Sequence, residues 1–170
     1  VFDCRGTGGA SERPGIIMVS SAWSRPAQKM ERSERIYDGL VIEGNRFLSD
    51  QPFGGDIIQF LRAGFRNTRI ANNVVQVGVA GPGSFLRLSE AAIEGSFVVE
   101  GNRKGAMAHG FWLQSWAQLE SRRPADIAVR RNDASRATWG VRGTVPELPE
   151  GSRIVFEGNA LGKVGGRNQL

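Results

Sequence analysis

The sequence predicts an all-β solenoid, in which short strands stack coil upon coil around one continuous core. Three observations predict this fold. A strand-like phrase that ends in asparagine returns along the chain, a second apolar series runs in step with it, and short loops rich in glycine and proline separate the two series. Repetition at a near-constant period of this kind is typical of stacked repeat architectures.

The first series is a strand that ends on an asparagine. The phrase LVIEGN at 40–45 returns as FVVEGN at 97–102 and as IVFEGN at 154–159, with weaker copies at 69–76 and 127–134. The asparagines follow one another at intervals of 28, 29, 30 and 27 residues, and they are Asn45, Asn73, Asn102, Asn132 and Asn159. Because an asparagine amide donates and accepts at once, copies stacked one strand spacing apart predict a ladder of hydrogen bonds.

The residues before each asparagine alternate between core and solvent. Positions three and five residues earlier are mostly apolar and share a strand face, so we expect them to point inward. The position two residues earlier is expected to lie on the surface, and it holds Glu43, Glu100 and Glu157. The residue just before the asparagine is glycine or asparagine except at Arg131. Since glycine and asparagine accept positive φ most easily, a different turn is expected at Arg131.

The second series, at 56–63, 84–91, 110–117 and 138–145, predicts another sheet of stacked strands. If its outer face lines a groove, one row holds Gln59, Arg87, Gln114 and Arg142, and the row beside it holds Ile57, Phe85, Trp112 and Gly140. Amide and guanidinium groups bind sugar hydroxyls and carboxylates, and aromatic faces stack on sugar rings. The candidate substrate-binding residues are therefore Gln59, Phe85, Arg87, Trp112, Gln114 and Arg142. The alternative is a solvated sheet whose aromatic residues are covered by a loop or a partner.

The composition fits one domain over residues 1–170, with 40% hydrophobic residues and no apolar run long enough to cross a membrane. A polar insert at 24–35 is expected to project from one coil. The net charge of +5 favours anionic partners. The basic excess is sharpest at 121–142, where a solvated basic face is the alternative. A single cysteine and a single histidine cannot readily supply a metal site, so none is expected.

The repeated phrase, the asparagine spacing and the two strand series together resemble right-handed parallel β-helix proteins of the pectate-lyase-like superfamily, over residues 15–159. The resemblance implies five or six coils with an internal asparagine ladder, an extracellular, periplasmic or cell-surface location, and an acidic polysaccharide as partner. Lyase-like chemistry is implied if the chain is an enzyme, with calcium as a cofactor by analogy only. The superfamily also contains tailspike and adhesin segments, so a non-catalytic role as a homotrimer, or joined to a further β-helix chain, is the alternative.

The candidate catalytic residues are Lys104, His109 and Arg87. His109 titrates near neutrality in the absence of perturbation, although a half-buried structural histidine is the alternative. Lys104 would need a lowered pKa, for which the neighbouring cation of Arg103 is suggestive. The chain departs from the enzymes of the superfamily because it lacks a compact run of acidic residues and is shorter. It is consistent with a fragment of a longer β-helix or a reduced version. Nucleic acid is a weaker alternative partner.

Overall fold

A computed structural model of the chain describes residues 17–20, 23–24, 29–30, 36–49, 56–77, 84–104, 107–114, 123–142 and 148–161. This part of the chain is all-β: it consists of strands and their connections and contains no helix. Accordingly, none of it forms a helix of the length and apolarity that crossing a membrane requires. All strands but two belong to parallel sheets.

Three parallel sheets contain the strands that the repeat predicts. Sheet 1 consists of β4 (Ile36–Asp38), β5 (Val41–Glu43), β8 (Gly64–Ala71), β11 (Ala92–Glu100), β14 (Ala125–Arg130) and β17 (Arg153–Glu157). Sheet 2 consists of β6 (Arg46–Ser49), β9 (Val74–Val77), β12 (Arg103–Lys104), β15 (Asp133–Ala134) and β18 (Ala160–Leu161). Sheet 3 consists of β1 (Ile17–Ser20), β7 (Ile58–Leu61), β10 (Leu86–Ser89), β13 (Met107–Gln114) and β16 (Ala137–Arg142).

The remaining two strands, β2 (Trp23–Ser24) and β3 (Lys29–Met30), form a separate antiparallel pair. They fall at the insert predicted at 24–35. The other residues of that insert lie outside the described residues.

The chain visits the three sheets in a repeating order. From β4 onward it passes through sheet 1, then sheet 2, then sheet 3, and each new strand pairs in parallel with its counterpart one passage earlier. We call each passage a level. Level 1 contains β4 to β7, level 2 contains β8 to β10, level 3 contains β11 to β13, level 4 contains β14 to β16, and level 5 contains β17 and β18. Strand β1 precedes β7 in sheet 3 and forms level 0.

The core lies between the sheets and follows the two inward rows that the sequence predicts. At the central levels these residues are buried, as for Ile70, Phe97, Val99, Ile127 and Val129, each 0% exposed. Leu40, Ile154 and Phe156, at the outermost levels of sheet 1, are half-buried against the same core. Stacked aromatic rings join the sheets, since Phe60 of β7 lies 4.2 Å from Phe65 of β8 between ring centroids.

The five repeat asparagines are joined by hydrogen bonds from level to level. The Oδ1 atom of Asn132 accepts the backbone N–H of Asn102 at 2.9 Å and its Nδ2 group at 3.0 Å. The same Nδ2 group of Asn102 also donates to the carbonyl of Ile70 at 3.0 Å. Equivalent pairs of bonds run from Asn45 to Asn73, from Asn73 to Asn102 and from Asn132 to Asn159.

The turn before each asparagine has the same backbone conformation at every level. Gly101 has a φ of 62° and Asn72 a φ of 55°. The different turn expected at Arg131 is wrong, because Arg131 adopts a φ of 52°. Main-chain hydrogen bonds from Gly101 N to Arg130 O at 3.2 Å, and from Arg131 N to Glu157 O at 2.9 Å, hold this turn in step with its neighbours.

Candidate functional site

The four polar residues predicted to form a row occupy paired positions on sheet 3. Gln59 of β7 pairs with Arg87 of β10, Arg87 pairs with Gln114 of β13, and Gln114 pairs with Arg142 of β16. They therefore lie on four consecutive strands, each one strand spacing from the next. For Gln114 and Arg142 the structure describes the backbone only. The register aligns two glutamines and two arginines on neighbouring strands, and we call these four residues the Gln–Arg row.

The described half of the Gln–Arg row is only partly open to solvent. Gln59 is 8% exposed, whereas the side chain of Arg87 is 38% exposed. The Nη1 atom of Arg87 lies 3.6 Å from the Oδ2 atom of Asp56. Its Nε atom is buried and has no hydrogen-bond partner among the described residues. Because the Nε atom is buried, only the solvent-exposed part of the Arg87 side chain could contact a ligand carboxylate or hydroxyl.

A buried carboxylate, that of Asp56, lies next to Arg87. Asp56 is 7% exposed, and its Oδ1 atom accepts both the hydroxyl of Ser84 and the backbone N–H of Ser84, the latter at 3.0 Å. These contacts join the residues that precede β7 and β10 on adjacent levels. Because Asp56 is near Arg87, it offsets part of the positive charge of the row.

The row predicted beside the Gln–Arg row is not on the surface at Ile57 and Phe85. Phe85 is 0% exposed and Ile57 is 1% exposed, and both belong to the hydrophobic core. They precede the first residues of β10 and β7, Leu86 and Ile58, so strict alternation between faces does not extend to them. Phe85 therefore cannot stack on a ligand at the surface. Trp112 lies within β13, for which the structure describes the backbone only.

The three candidate catalytic residues do not share one sheet. Arg87 and His109 lie on adjacent strands of sheet 3, β10 and β13, whereas Lys104 ends β12 in sheet 2. Arg87 pairs with Gln114, which is five residues beyond His109 in the same strand. For Lys104 and His109 the structure describes the backbone only.

Sheet 1 carries a charged cluster that the sequence reasoning missed. Glu100 was expected on the surface, but it is 8% exposed and is bound by three arginines. Arg69 donates to its Oε1 atom through Nη1, Arg130 donates to its Oε2 atom through Nε at 2.7 Å, and Arg131 donates to Oε2 through Nη2 at 3.1 Å. By contrast Glu43 and Glu157 are exposed, as expected.

These contacts settle the protonation state of Glu100. The hydrogen bond from Arg69 is the largest influence, and with those from Arg130 and Arg131 it lowers the pKa of Glu100 to about 2, against the opposing effect of burial. The same contact with Glu100 raises the pKa of Arg69. At neutral pH the cluster is therefore fully ionised, which suits a structural role better than proton transfer.

The sequence did contain a signal for this cluster. Arg69 pairs with Val98 of the next level, and Ala71 pairs with Glu100. Because the side chain of Ala71 is small, it leaves room for Arg69 to reach Glu100. Arg69 also approaches Glu43 one level below, at 3.4 Å. A similar bridge joins Arg66 to Asp38 at 3.6 Å and to Glu94 at 2.8 Å.

A calcium site, which the resemblance makes possible, has no support in the described part of the chain. No group of three or more histidine, cysteine, aspartate or glutamate side chains is placed there to hold a metal ion. Comparisons of this chain with protein-family models, curated proteins and solved structures give no match.

Proposed function

We propose that the chain is a right-handed parallel β-helix of the pectate-lyase-like kind, which binds an anionic polysaccharide along the outer face of sheet 3. The fold is supported by the repeated order of the three sheets and by the asparagine hydrogen bonds that run from level 1 to level 5. An internal asparagine ladder then holds five to six coils in register.

The single observation that carries the binding proposal is the register of the Gln–Arg row. Four strands place Gln59, Arg87, Gln114 and Arg142 one strand spacing apart, over a track of roughly 14 Å. Arginine can clamp a uronate carboxylate with two parallel hydrogen bonds, and glutamine can donate to and accept from sugar hydroxyls. The carboxylate of Asp56 lies 3.6 Å from the Nη1 atom of Arg87 and offsets part of its positive charge.

Binding is tested by titrating the chain with a panel of acidic and neutral polysaccharides at two salt concentrations. Arg142→Gln is expected to weaken binding of acidic members by roughly tenfold, as for the loss of one charged hydrogen-bonding group. Arg153→Gln removes the same charge from an exposed position of β17 in sheet 1 and should have little effect. Equal effects of the two substitutions would show that net charge, rather than this row, attracts the polysaccharide.

If the chain is also catalytic, lyase-like cleavage is the reaction to test. Growth of the ultraviolet absorbance of unsaturated uronate during incubation would establish it, with Lys104, His109 and Arg87 as the residues to substitute. A flat trace with every acidic polysaccharide would leave binding without cleavage.

The second candidate is a non-catalytic structural or receptor-binding segment of the tailspike or adhesin kind. The burial of Gln59 and Phe85 favours it, because less of the predicted groove is open to a sugar chain. A chain that binds no polysaccharide in the titration, yet is stable and folded, would support this candidate over the first.

A further inference from the structure

Arg131 holds a backbone conformation that is costly for an arginine. It lies in the turn between β14 and β15 with a φ of 52°. Positive φ strains most residues that carry a Cβ atom, whereas glycine and asparagine adopt it readily. The other levels have these two residues at the equivalent position, namely Gly44, Asn72, Gly101 and Gly158. Strain of this kind persists mainly at functional sites, so the choice of arginine at this turn calls for a reason beyond the fold.

The hydrogen bond between Arg131 and Glu100 does not by itself require an arginine. Arg131 donates from Nη2 to Glu100, which lies one level earlier, at 3.1 Å. At level 2, Asn72 makes the corresponding bond from Nδ2 to Glu43, also one level earlier and also at 3.1 Å. An asparagine at position 131 would offer the same bond at a smaller backbone cost. What the arginine adds is a positive charge and further N–H donors.

This added charge lies beside that of Arg130. Both arginines bond to the same atom, Oε2 of Glu100, through Nε of Arg130 at 2.7 Å and Nη2 of Arg131 at 3.1 Å. The two nitrogen atoms can therefore be no further apart than the sum of these distances. The other oxygen of Glu100 accepts a hydrogen bond from Arg69, so one carboxylate is shared among three cations. Glu100 thus brings the guanidinium groups of Arg130 and Arg131 together but neutralises them only in part.

The pair of guanidinium groups is open to solvent and has unused donors. The side chain of Arg131 is 71% exposed and that of Arg130 is 41% exposed. Within the described residues each of the two side chains bonds to Glu100 alone, which leaves both Nη groups of Arg130 and the Nε and Nη1 groups of Arg131 without a partner there. Glu157 pairs with Arg130 in the register, but its carboxylate forms no ion pair in that part of the chain.

We propose that Arg130 and Arg131 form a binding site for a phosphate group that carries two negative charges. The oxygen atoms of a phosphate accept hydrogen bonds from two guanidinium groups at once, and the planar fork of arginine matches their geometry. A dianion balances both arginines, which Glu100 cannot do alone. Glu100 is the positioning residue of this site. The site lies at the turn between sheets 1 and 2, so it is separate from the Gln–Arg row of sheet 3 and does not depend on polysaccharide binding there.

The test is a titration of the full 170-residue chain with inorganic phosphate at constant ionic strength, followed through the amide NMR signals of residues 130–132. A pH of about 8 keeps the phosphate mostly dianionic. A sugar phosphate is titrated in parallel. Tighter binding of the ester would identify a phosphorylated sugar as the source of the group, and equal or weaker binding would identify free phosphate.

Three variants separate this site from general attraction to a basic protein. Arg131→Asn removes the charge but keeps a residue that accepts the turn and offers the bond to Glu100, and it should weaken phosphate binding by roughly tenfold or more. Arg136→Asn is the matched control, because it removes the same charge from an exposed turn of the same level and should change binding little. Glu157→Gln removes the nearby negative charge and should strengthen binding by roughly threefold.

Thermal unfolding separates a binding role of Arg131 from a structural one. Because asparagine accepts positive φ more easily, the Tm of Arg131→Asn should equal that of the wild type or exceed it by roughly 2–4 °C. A fall of that size would show that Arg131 serves stability and would overturn the proposal. So would wild-type signals that respond to neither phosphate nor the sugar phosphate, or equal weakening in Arg131→Asn and Arg136→Asn.

Discussion

The Oδ1 atom of Asn132 accepts two hydrogen bonds from Asn102, one from its backbone N–H at 2.9 Å and one from its side chain at 3.0 Å. Asn102 is 0% exposed, so water cannot replace either bond. Asn102 in turn offers its own Oδ1 atom to Asn73. Each interior asparagine is therefore both donor and acceptor in a buried polar column, which must be satisfied throughout.

Replacing Asn102 with alanine should lower the free energy of unfolding by about 1–3 kcal/mol, because it removes the acceptor of the buried backbone N–H of Asn73 and the side-chain donor to the carbonyl of Ile70. Asn45→Ala is the matched control. Asn45 is half-buried at the end of the series, so its replacement should cost less. Urea unfolding of both variants measures the difference, and equal losses would show that burial does not govern the strength of these bonds.

Gly101→Ala should destabilise the chain more than Gly44→Ala. Both glycines have positive φ, of 62° and 68°, so the backbone strain of alanine is the same, about 1–2 kcal/mol. A Cβ atom on Gly101 would lie 2.5 Å from the Oδ1 atom of Asn72, whereas nothing lies within 4 Å of one on Gly44. Asn72 would have to turn away and lose its bond to Glu43, which costs about 0.5–1 kcal/mol more. Thermal unfolding that ranks the two variants in the reverse order would contradict this account.

Glu100→Gln should lower the free energy of unfolding at pH 7 by about 1–3 kcal/mol. The substitution keeps the size of the side chain but removes the charge that three arginines bind. Glu157→Gln is the control, because Glu157 occupies the equivalent row at level 5 but is exposed. It should change stability by less than about 0.5 kcal/mol. Guanidinium chloride screens ion pairs, so urea is the denaturant to use.

The acid stability of the chain should also depend on Glu100. Its folded-state pKa of about 2 lies below the ordinary value of 4.5, so its contribution is fully present above pH 4.5 and is lost as the pH falls towards 2. A shift of this size corresponds to about 3 kcal/mol at most. The Glu100→Gln variant should therefore lose less stability than the wild type between pH 5 and pH 2. Parallel pH profiles for the two proteins would contradict the assignment.

The inward rows of sheet 1 could be predicted because a repeat places equivalent residues in equivalent surroundings. Ile70, Val99 and Val129 are buried for this reason, and the period alone aligns them. The position of Phe85 could not be predicted in the same way. Alternation between faces holds only inside a strand, and β10 begins one residue later, at Leu86. The register of the Gln–Arg row could be predicted from the sequence because all four residues lie within their strands.

Glu100 was misplaced for a different reason. The alternation of residues along β11 assigns Glu100 to the outer face of sheet 1. This assignment does not reveal whether neighbouring side chains cover Glu100. Arg69 and Arg130 come from the neighbouring levels, and their long side chains extend across the sheet to Glu100. The burial of Glu100 by these arginines depends on the small size of Ala71, its partner in β8, and on the side chains of three neighbouring strands. Single-strand patterns do not contain this information.

The difference in burial between the central and outer levels has a consequence for local unfolding. Phe97 and Val99 are 0% exposed at level 3, whereas Ile154 and Phe156 at level 5 are half-buried and belong to the last strand of sheet 1 among the described residues. Because each level contacts only the adjacent ones, opening should begin at the outer levels and proceed inward. Amide hydrogens of β11 should exchange most slowly, and those of β17 should exchange early in dilute solution.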